Sequence, residues 1–167
     1  AIWRRIQELE RMLDDIKTIE HSTSAPDFGS CYGNEIAWTQ ASAVQNTWYA
    51  ISDADMSDGQ LRNVTHDGSG KLTIATTGKY LISWNTAVEV SLPGKHIQGG
   101  IGLTPSGGSL TAQSDGMNHV EESAANAQSA MGGNAILSIA AGTAVQVIVR
   151  TTDTGTPNIS VDHLNLS

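Results

Sequence analysis

A chain of 167 residues has room for one ordinary domain and a short appendage. Its 17 acidic residues against 9 lysines and arginines give a formal net charge of −8, which excludes nucleic-acid binding through the phosphate backbone. No apolar run is long enough to cross a membrane, so we expect no membrane insertion. Because Cys31 is the only cysteine, an intrachain disulfide and a cysteine-based zinc site are also excluded. We expect Cys31 to be a small buried residue, with an interchain bridge or a reactive thiol as alternatives.

Residues 1–21 carry the repeat of a coiled coil. Apolar side chains fall alternately four and three residues apart, with Ile6 and Leu13 at heptad position a and Ile2, Leu9 and Ile16 at position d. Charges of both signs flank this narrow stripe, whereas a helix packed on its own domain has a wider apolar face. The pattern therefore favours a coiled-coil stalk over a docked amphipathic helix, which is the alternative.

The composition of this stripe favours three chains. Ile and Leu are mixed over positions a and d, with neither Val nor Asn at a, which favours three or four strands over two. The segment RIQELE at residues 5–10 also resembles the Arg-h-x-x-h-Glu motif of parallel trimeric coiled coils, where h is an apolar residue. That resemblance implies that the stem of Arg5 covers the core and that its guanidinium pairs with Glu10 of a neighbouring helix. Because the repeat starts in mid-heptad, we expect further protein before Ala1. Since about three heptads are marginal alone, the following domain should contribute to trimerisation.

Residues 22–34 are small and polar and contain Pro26, Gly29 and Gly33, which is typical of a linker. From residue 35 to residue 167, short segments rich in β-formers alternate with turns that contain Gly or Pro. About ten short strands at this spacing predict an all-β sandwich or jelly roll. The predicted strands are Glu35–Gln40, Trp48–Ile51, Leu61–Thr65, Lys71–Thr76, Lys79–Val90, His96–Leu103, Met117–Ala125, Ala135–Ile139, Ala144–Arg150 and Ile159–Leu166.

The segment Gly78–Trp84 (GKYLISW), which follows a short amphipathic strand, resembles a central strand of the C1q/TNF-like jelly-roll superfamily. Further similarity lies in Asn134–Ile139, in Gly142–Val147 and in the closing strand Ile159–Leu166. The resemblance covers residues 35–167 and points to prokaryotic and phage-borne members. It implies an antiparallel jelly-roll sandwich that forms the head of a homotrimer. The collagen repeats that precede many C1q-like heads are absent from this sequence, and the coiled coil takes their place.

Two aromatic residues of this strand are candidates for the subunit interface. In the family, the aromatic side chain of this segment packs near the trimer axis, which implies such a role for Tyr80 and Trp84. In a strand, both side chains share one face with Ile82. The alternative is that they belong to the core of the sandwich, and the same two interpretations apply to Trp38, Trp48 and Tyr49.

The acidic segment Asp53–Gly59 resembles a calcium loop only superficially. An EF-hand requires Gly at its sixth position and Glu at its twelfth, where this sequence has Asp58 and Val64. We therefore expect an acidic surface turn and no metal, with a different type of calcium loop as the alternative. The histidines lack the spacing of metal ligands, although a trimer could gather three copies of one histidine around its axis to hold a metal ion or an anion. They are His21, His66, His96, His119 and His163.

No catalytic group stands out, so we expect no enzyme and no cofactor. There is no Gly-x-Ser-x-Gly elbow for a nucleophilic serine. Glu121 and Glu122 point to opposite faces of a strand and so cannot act as an acid–base pair. The glycine-rich Gly99–Gly102 leads into no helix that would bind a phosphate, so these glycines are interpreted as sites of close packing or a bulge.

These observations predict a structural or binding protein. The leading hypothesis is the head of a trimeric phage fibre or of a capsid-decorating fibre, located on the virion surface. It would be joined to virion or capsid proteins through the part before Ala1 and would attach to a glycan or protein of the host surface. The long polar stretch Pro105–Gly116 is the candidate for that contact. The alternatives are a secreted or spore-surface bacterial C1q-like protein, which would be extracellular or on the cell surface, and a glycan-degrading fibre enzyme with a site built between subunits.

Overall fold

The computed structural model describes Trp3, residues 5–12 and residues 26–167. Trp3 and residues 5–12 are helical and exposed to solvent. No helix among the described residues has both the length and the apolar character of a membrane span. Residues 26–167 form an all-β antiparallel sandwich. Its strands are β1 (Phe28–Gln40), β2 (Tyr49–Ala50), β3 (Ser57–Arg62), β4 (Val64–His66), β5 (Lys71–Ile74), β6 (Gly78–Val90), β7 (Lys95–Thr104), β8 (Thr111–Ala112), β9 (Asn118–Glu122), β10 (Gln128–Ile139), β11 (Ala144–Thr151) and β12 (Ile159–Leu166).

Two antiparallel sheets form the sandwich. The five-stranded sheet has the order β10-β6-β12-β1-β3. The seven-stranded sheet runs β4-β5-β11-β7-β8, with β2 also paired to β11 and β9 also paired to β7. Strands β6 and β10 pair along their whole length, from Gly78 opposite Ile139 to Glu89 opposite Gln128. The C-terminal strand β12 lies between β6 and β1, so the end of the chain occupies the middle of the five-stranded sheet.

The core lies between the two sheets and follows from the alternation of apolar residues. In a strand, every second side chain points to the same face, and the apolar set therefore turns inward. On β6 this set includes Ile82, Trp84 and Val88, and on β11 it includes Val147 and Val149. All of these side chains are at most 5% exposed, so their burial supplies the main stabilisation of the sandwich.

Glycines make room for the largest side chain of the core. Trp84 crosses the interior towards β7, and a Cβ atom at Gly99 would stand 2.7 Å from Trp84 Cη2. The indole Nε1 donates a hydrogen bond of 2.8 Å to the carbonyl oxygen of Gly116. A Cβ atom at Gly133 would stand 3.1 Å from the same nitrogen. The interpretation of the Gly99–Gly102 segment as a site of close packing is therefore confirmed.

The structure corrects the expected linker of residues 22–34. Residues 28–34 belong to β1, where Cys31 pairs with Leu166 and Gly33 pairs with Leu164. Small residues are needed here because a Cβ atom at Gly33 would collide with Ile36 and Met56. The composition that is typical of a linker therefore reflects tight packing of β1 on the core. Residues 22–25 lie outside the described residues.

Other strand boundaries also differ from the prediction. The predicted strand Leu61–Thr65 is divided into β3 and β4 by Asn63, whose positive φ of 52° interrupts the extended backbone. Strand β10 begins at Gln128, seven residues before the predicted Ala135, because the long pairing with β6 extends it through the small residues that precede Ala135. The two-residue strand β8 was not predicted, because its pairing with β7 leaves no periodic pattern in so short a segment.

Candidate functional site

The open face of the five-stranded sheet carries exposed apolar side chains. Leu81 on β6 is 67% exposed and Ile136 on β10 is 70% exposed, and the two residues are direct cross-strand partners. Phe28 and Tyr32, each 44% exposed, alternate with the buried side of β1 and so lie on the same open face. Exposed apolar side chains grouped on one surface mark an interaction site. We call Phe28, Tyr32, Leu81 and Ile136 the open-face cluster.

Small polar groups lie beside the cluster on this face, and the charged residues that β6 places on the same face lie towards its two ends. Ser83 and Asn134 face one another across β6 and β10, with 3.3 Å between Ser83 Oγ and Asn134 Oδ1. Asn85 and Asn165 pair on β6 and β12 in the next row. None of these four is charged, so another protein surface could cover them without the cost of burying an ion.

Tyr80 and Trp84 lie on the opposite face of β6, towards the core. Trp84 is 3% exposed in the single chain, and Tyr80 packs at the edge of the core. The core interpretation therefore holds for Trp84, and its assignment to a subunit interface is corrected. The physical reason is that Leu81, which alternates with both residues, takes the open side. Trp38 and Tyr49 also pack against the core.

Tyr80 belongs to a hydrogen-bonded group that joins the start of β1 to the sandwich. Its hydroxyl lies 2.6 Å from the carbonyl oxygen of Thr76 and 3.1 Å from Asp27 Oδ2. Asn63 Nδ2 donates to Asp27 Oδ1 at 2.7 Å. The hydrogen bond from Asn63, with those from Thr76 and Tyr80, lowers the pKa of Asp27. Partial burial, and then the Asp27 carboxylate, raise the pKa of Tyr80.

A cavity of about 470 Å³ opens beside this group, at one end of the sandwich. Its walls are mainly apolar and include Val64 and Ile74 of the seven-stranded sheet and Leu166 of the five-stranded sheet. Leu81 also lines it. The cavity therefore adjoins the open-face cluster, since Phe28 also lines it.

The proposed stalk residues are described only in part. Arg5, Ile6, Leu9 and Glu10 are helical, with Ile6 40% and Leu9 64% exposed in the single chain. The remaining heptad positions, Ile2, Leu13 and Ile16, lie outside the described residues. Assembly through this stripe stays a prediction.

The acidic segment Asp53–Gly59 forms a turn and the start of β3. Asp53 accepts hydrogen bonds from the backbone N–H groups of Ala37 and Asp55, each at 2.9 Å. The side chain of His66 is fully buried and contacts the Asp58 carboxylate through Nδ1, while Nε2 accepts from the backbone N–H of Gly70 at 2.9 Å. The ring is therefore the tautomer with its proton on Nδ1, donating to Asp58. These contacts give Asp53 and Asp58 a structural role, in which their carboxylates accept hydrogen bonds within the sandwich.

The described part of the chain shows no cluster of three or more His, Cys, Asp or Glu side chains suited to a metal ion. Glu121 points to solvent and Glu122 is buried, as their alternation predicts, so the two carboxylates lie on opposite faces. Of the Pro105–Gly116 stretch, residues 105–109 are exposed, but Leu110 packs near Gly102 and the Gly116 carbonyl binds Trp84. Only part of the polar stretch proposed for host contact is therefore free to make that contact, and the contact itself stays a prediction.

Leu81 and Ile136 were not among the interface residues expected from the sequence, although a signal was present. Both lie within uninterrupted apolar runs, Tyr80–Ile82 and Ala135–Leu137. A strand that is apolar on both faces is typically covered on both sides. That property distinguishes these two strands from the alternating β5, in which Leu72 and Ile74 are buried and Thr73 between them is not.

Comparison with known proteins supports the fold. No protein-family model and no curated protein sequence matches the chain. Among solved structures, the chain is similar to Eiger TNF from S. frugiperda, with a TM-score of 0.59, 12% identity, and coverage of 84% of this chain and 91% of that one. Weaker similarity is found to murine APRIL (TM-score 0.48, 9% identity, coverage 80% and 98%) and to the globular domain of zebrafish complement 1qA (TM-score 0.47, 15% identity, coverage 83% and 92%). The similarity to Eiger TNF shows that the sandwich has a TNF-like jelly-roll fold, which is the fold that the resemblance in the sequence implied.

Proposed function

We propose that this chain is one subunit of a homotrimer that assembles through the open face of the five-stranded sheet. The observation that carries the proposal is the exposure of Leu81 and Ile136 side by side on that face. Complete burial of one such side chain contributes roughly 1.5–3 kcal/mol, so covering both in each of three subunits would be a substantial driving force. The uncharged Ser83, Asn85 and Asn134 beside them are compatible with a buried interface.

The heptad repeat adds a second, independent argument. Its composition favours three helices, and the TNF/C1q-like resemblance of the head implies the same number. A closed threefold ring, in which one type of interface is repeated three times, is compatible with both the stalk and the head. The three stalk helices would then run parallel, because the heads stand at the same end of each chain.

We propose further that the trimer is a non-enzymatic attachment protein: the head of a phage fibre or of a capsid-decorating fibre on the virion surface. Three points support this function. The predicted stalk is of the fibre type, the fold is one that presents binding surfaces, and no catalytic constellation occurs among residues 26–167. The partners would be virion proteins at the stalk end and a glycan or protein of the host surface at the head, with three heads offsetting weak binding at each.

Assembly is tested by light scattering on a sizing column. The full chain should have a mass near three times 17.6 kDa. Leu81→Glu and Ile136→Glu should each lower that mass, because each places a charge in the buried interface. Val44→Glu is the matched control, since Val44 is 55% exposed but lies in the β1–β2 connection, away from the open face. A monomeric full chain, or a trimer that survives both open-face variants, would contradict the proposed interface.

Attachment is tested with the labelled trimer and with antibodies against the head. Binding to intact host cells, with antibody labelling at the virion surface, is the expected result. Labelling of a bacterial envelope or spore coat with no labelling of virions would instead support the cellular alternative. Release of reducing sugar from host polysaccharide would contradict a non-enzymatic role.

A further inference from the structure

A row of polar side chains crosses the outer face of the seven-stranded sheet. In the β-ladder, Arg150 on β11 stands opposite Gln98 on β7, and Gln98 stands opposite His119 on β9. On the other side of β11, Tyr49 pairs with Val149, which brings Trp48 beside Arg150. Four segments that are distant in the sequence therefore supply one continuous surface, which we call the arginine row: Trp48, Gln98, His119 and Arg150.

Arg150 is held in one orientation by its neighbours in this row. Its guanidinium carbon lies 4.4 Å from the centroid of the Trp48 ring, a cation–π contact. Its Nε donates a hydrogen bond of 2.8 Å to Gln98 Oε1. Both contacts restrict a long side chain before any ligand arrives, so less conformational entropy is lost on binding.

The donors of this row are largely unused within the head. Among residues 26–167, the guanidinium makes no hydrogen bond through its two Nη nitrogens, and no carboxylate lies within 4.0 Å of it. Gln98 uses its amide oxygen for Arg150, which leaves its Nε2 donors free, and His119 is exposed. A planar guanidinium with free Nη groups matches a carboxylate in a bidentate arrangement.

The surroundings limit what can bind. Towards one side, the neighbouring row carries His96, which hydrogen-bonds Asp153 at 3.0 Å and approaches Glu121 at 3.7 Å. These two carboxylates disfavour a multiply charged anion. Towards the other side, the half-buried Met117 packs against Gly100 and gives the surface an apolar element. The occupant that fits is therefore singly charged, with an apolar face and further hydrogen-bond acceptors.

We propose that the arginine row is a binding site for a carboxylated sugar, such as a uronic acid or sialic acid residue of a surface glycan. The carboxylate pairs with the Nη groups of Arg150, and ring substituents accept hydrogen bonds from Gln98 and His119. This inference rests on the proposed attachment function for its biological role. The row lies on the sheet opposite the open-face cluster, so the proposed trimer would present three copies outward, where avidity raises the affinity of a weak site.

The test is an NMR titration of the full chain with N-acetylneuraminic acid and galacturonic acid, with galactose as the neutral probe. The Nε1–H signal of Trp48, assigned with Trp48→Phe, and the Nε–H signal of Arg150 should shift with the two acids and not with galactose. Arg150→Gln should weaken binding at least about tenfold, the loss expected for hydrogen bonds to a charged group. Gln98→Ala keeps the charge but releases the guanidinium, and should weaken binding by a smaller factor. Arg62→Gln, at another exposed basic residue, is the matched control and should bind as the wild type does.

Three results would overturn the site. They are equal shifts with galactose, unchanged affinity in both Arg150→Gln and Gln98→Ala, or no shift up to about 50 mM sugar, well beyond the millimolar affinity of a single weak subsite. Failure of the site and failure of the attachment function are distinguishable. If Arg150→Gln binds cells as well as the wild type does, the arginine row is contradicted as the attachment site, while the attachment function stands. If the protein binds the sugar acids but does not bind cells, the sugar site is supported and the attachment function is contradicted.

Discussion

Replacing Gly99 by Ala should destabilise the head by overfilling the space around Trp84. The new Cβ atom would collide with Met131 Sδ, which would have to move, and would stand 2.7 Å from Trp84 Cη2. An ordinary contact begins at 3.4 Å, so the indole ring would have to retreat by about 0.7 Å. Retreat is opposed by the 2.8 Å hydrogen bond from the indole to Gly116. Overpacking costs about 1–3 kcal/mol, and strain on one hydrogen bond adds up to about 1 kcal/mol to that cost. In the opposite direction, Ala has a lower chain entropy than Gly in the unfolded state, which stabilises the fold by about 0.5–1 kcal/mol.

The net loss is therefore about 2 kcal/mol, or a fall of roughly 4–8 °C in the melting temperature of a chain of this size. The assay is denaturant unfolding at one fixed protein concentration, since an oligomer's stability depends on concentration. Gly78→Ala is the matched control, because its nearest contact would be an ordinary 3.4 Å to Tyr80. In a Trp84→Phe background, the smaller ring removes the contact with the indole and leaves only the flexible Met131 side chain to move, so Gly99→Ala should cost less by about 1 kcal/mol or more. Equal midpoints for Gly99→Ala and Gly78→Ala, or strictly additive effects with Trp84→Phe, would refute the reasoning.

Three further predictions concern single ionisable or reactive groups. Burial raises the pKa of the Cys31 thiol to about 12. A thiol reagent at pH 8 should therefore leave the native protein unlabelled and should react rapidly with the protein in denaturant. Rapid labelling of the native protein would mean that β1 opens locally. Hydrogen bonding, from Asn63 first, lowers the pKa of Asp27 in the folded state, so its contribution to stability is present above the unfolded value near 3.8 and is lost as pH falls through the folded value. Asp27→Asn should therefore flatten the loss of stability below about pH 4, and an unchanged acid limb of the unfolding curve would contradict this role. Glu122 is 1% exposed, and its Oε1 has no hydrogen-bond partner among the described residues. Because a neutral amide is cheaper to bury, Glu122→Gln should raise the free energy of unfolding by about 1 kcal/mol. A clear loss of stability would mean that the carboxylate has a partner in the assembly.

Much of the fold was predictable because its signals are local. Alternation in segments such as Leu72–Ile74 and Ile159–Val161 identifies strands, and turns at Gly-containing segments separate them. The errors occurred where the local signal was weak or misleading. The Gly- and Ser-rich start of β1 has the composition of a linker, and only its pairing with β12 and β3 shows it to be a strand.

The candidate site was predicted less well, and Tyr80, Leu81 and Trp84 show why. Alternation places Tyr80 and Trp84 on one face of the strand and Leu81 on the other, as the structure confirms. It does not say which face the second sheet covers. The two aromatic residues were therefore candidates for the interface with the core as the alternative, while the exposed Leu81 between them was not considered.

The sequence by itself determined the strand periodicity, the jelly-roll resemblance, the heptad stripe and the absence of any disulfide within the chain. These features depend on the identity and spacing of residues along the chain, and they require no contact between distant segments. Tertiary structure decided which face of β6 is core, that Gly99 makes room for Trp84, and that Trp48, Gln98, His119 and Arg150 form one row. Each of these requires strands far apart in the sequence to pair in one register, and that choice is made by the burial of all the strands together rather than by any one of them.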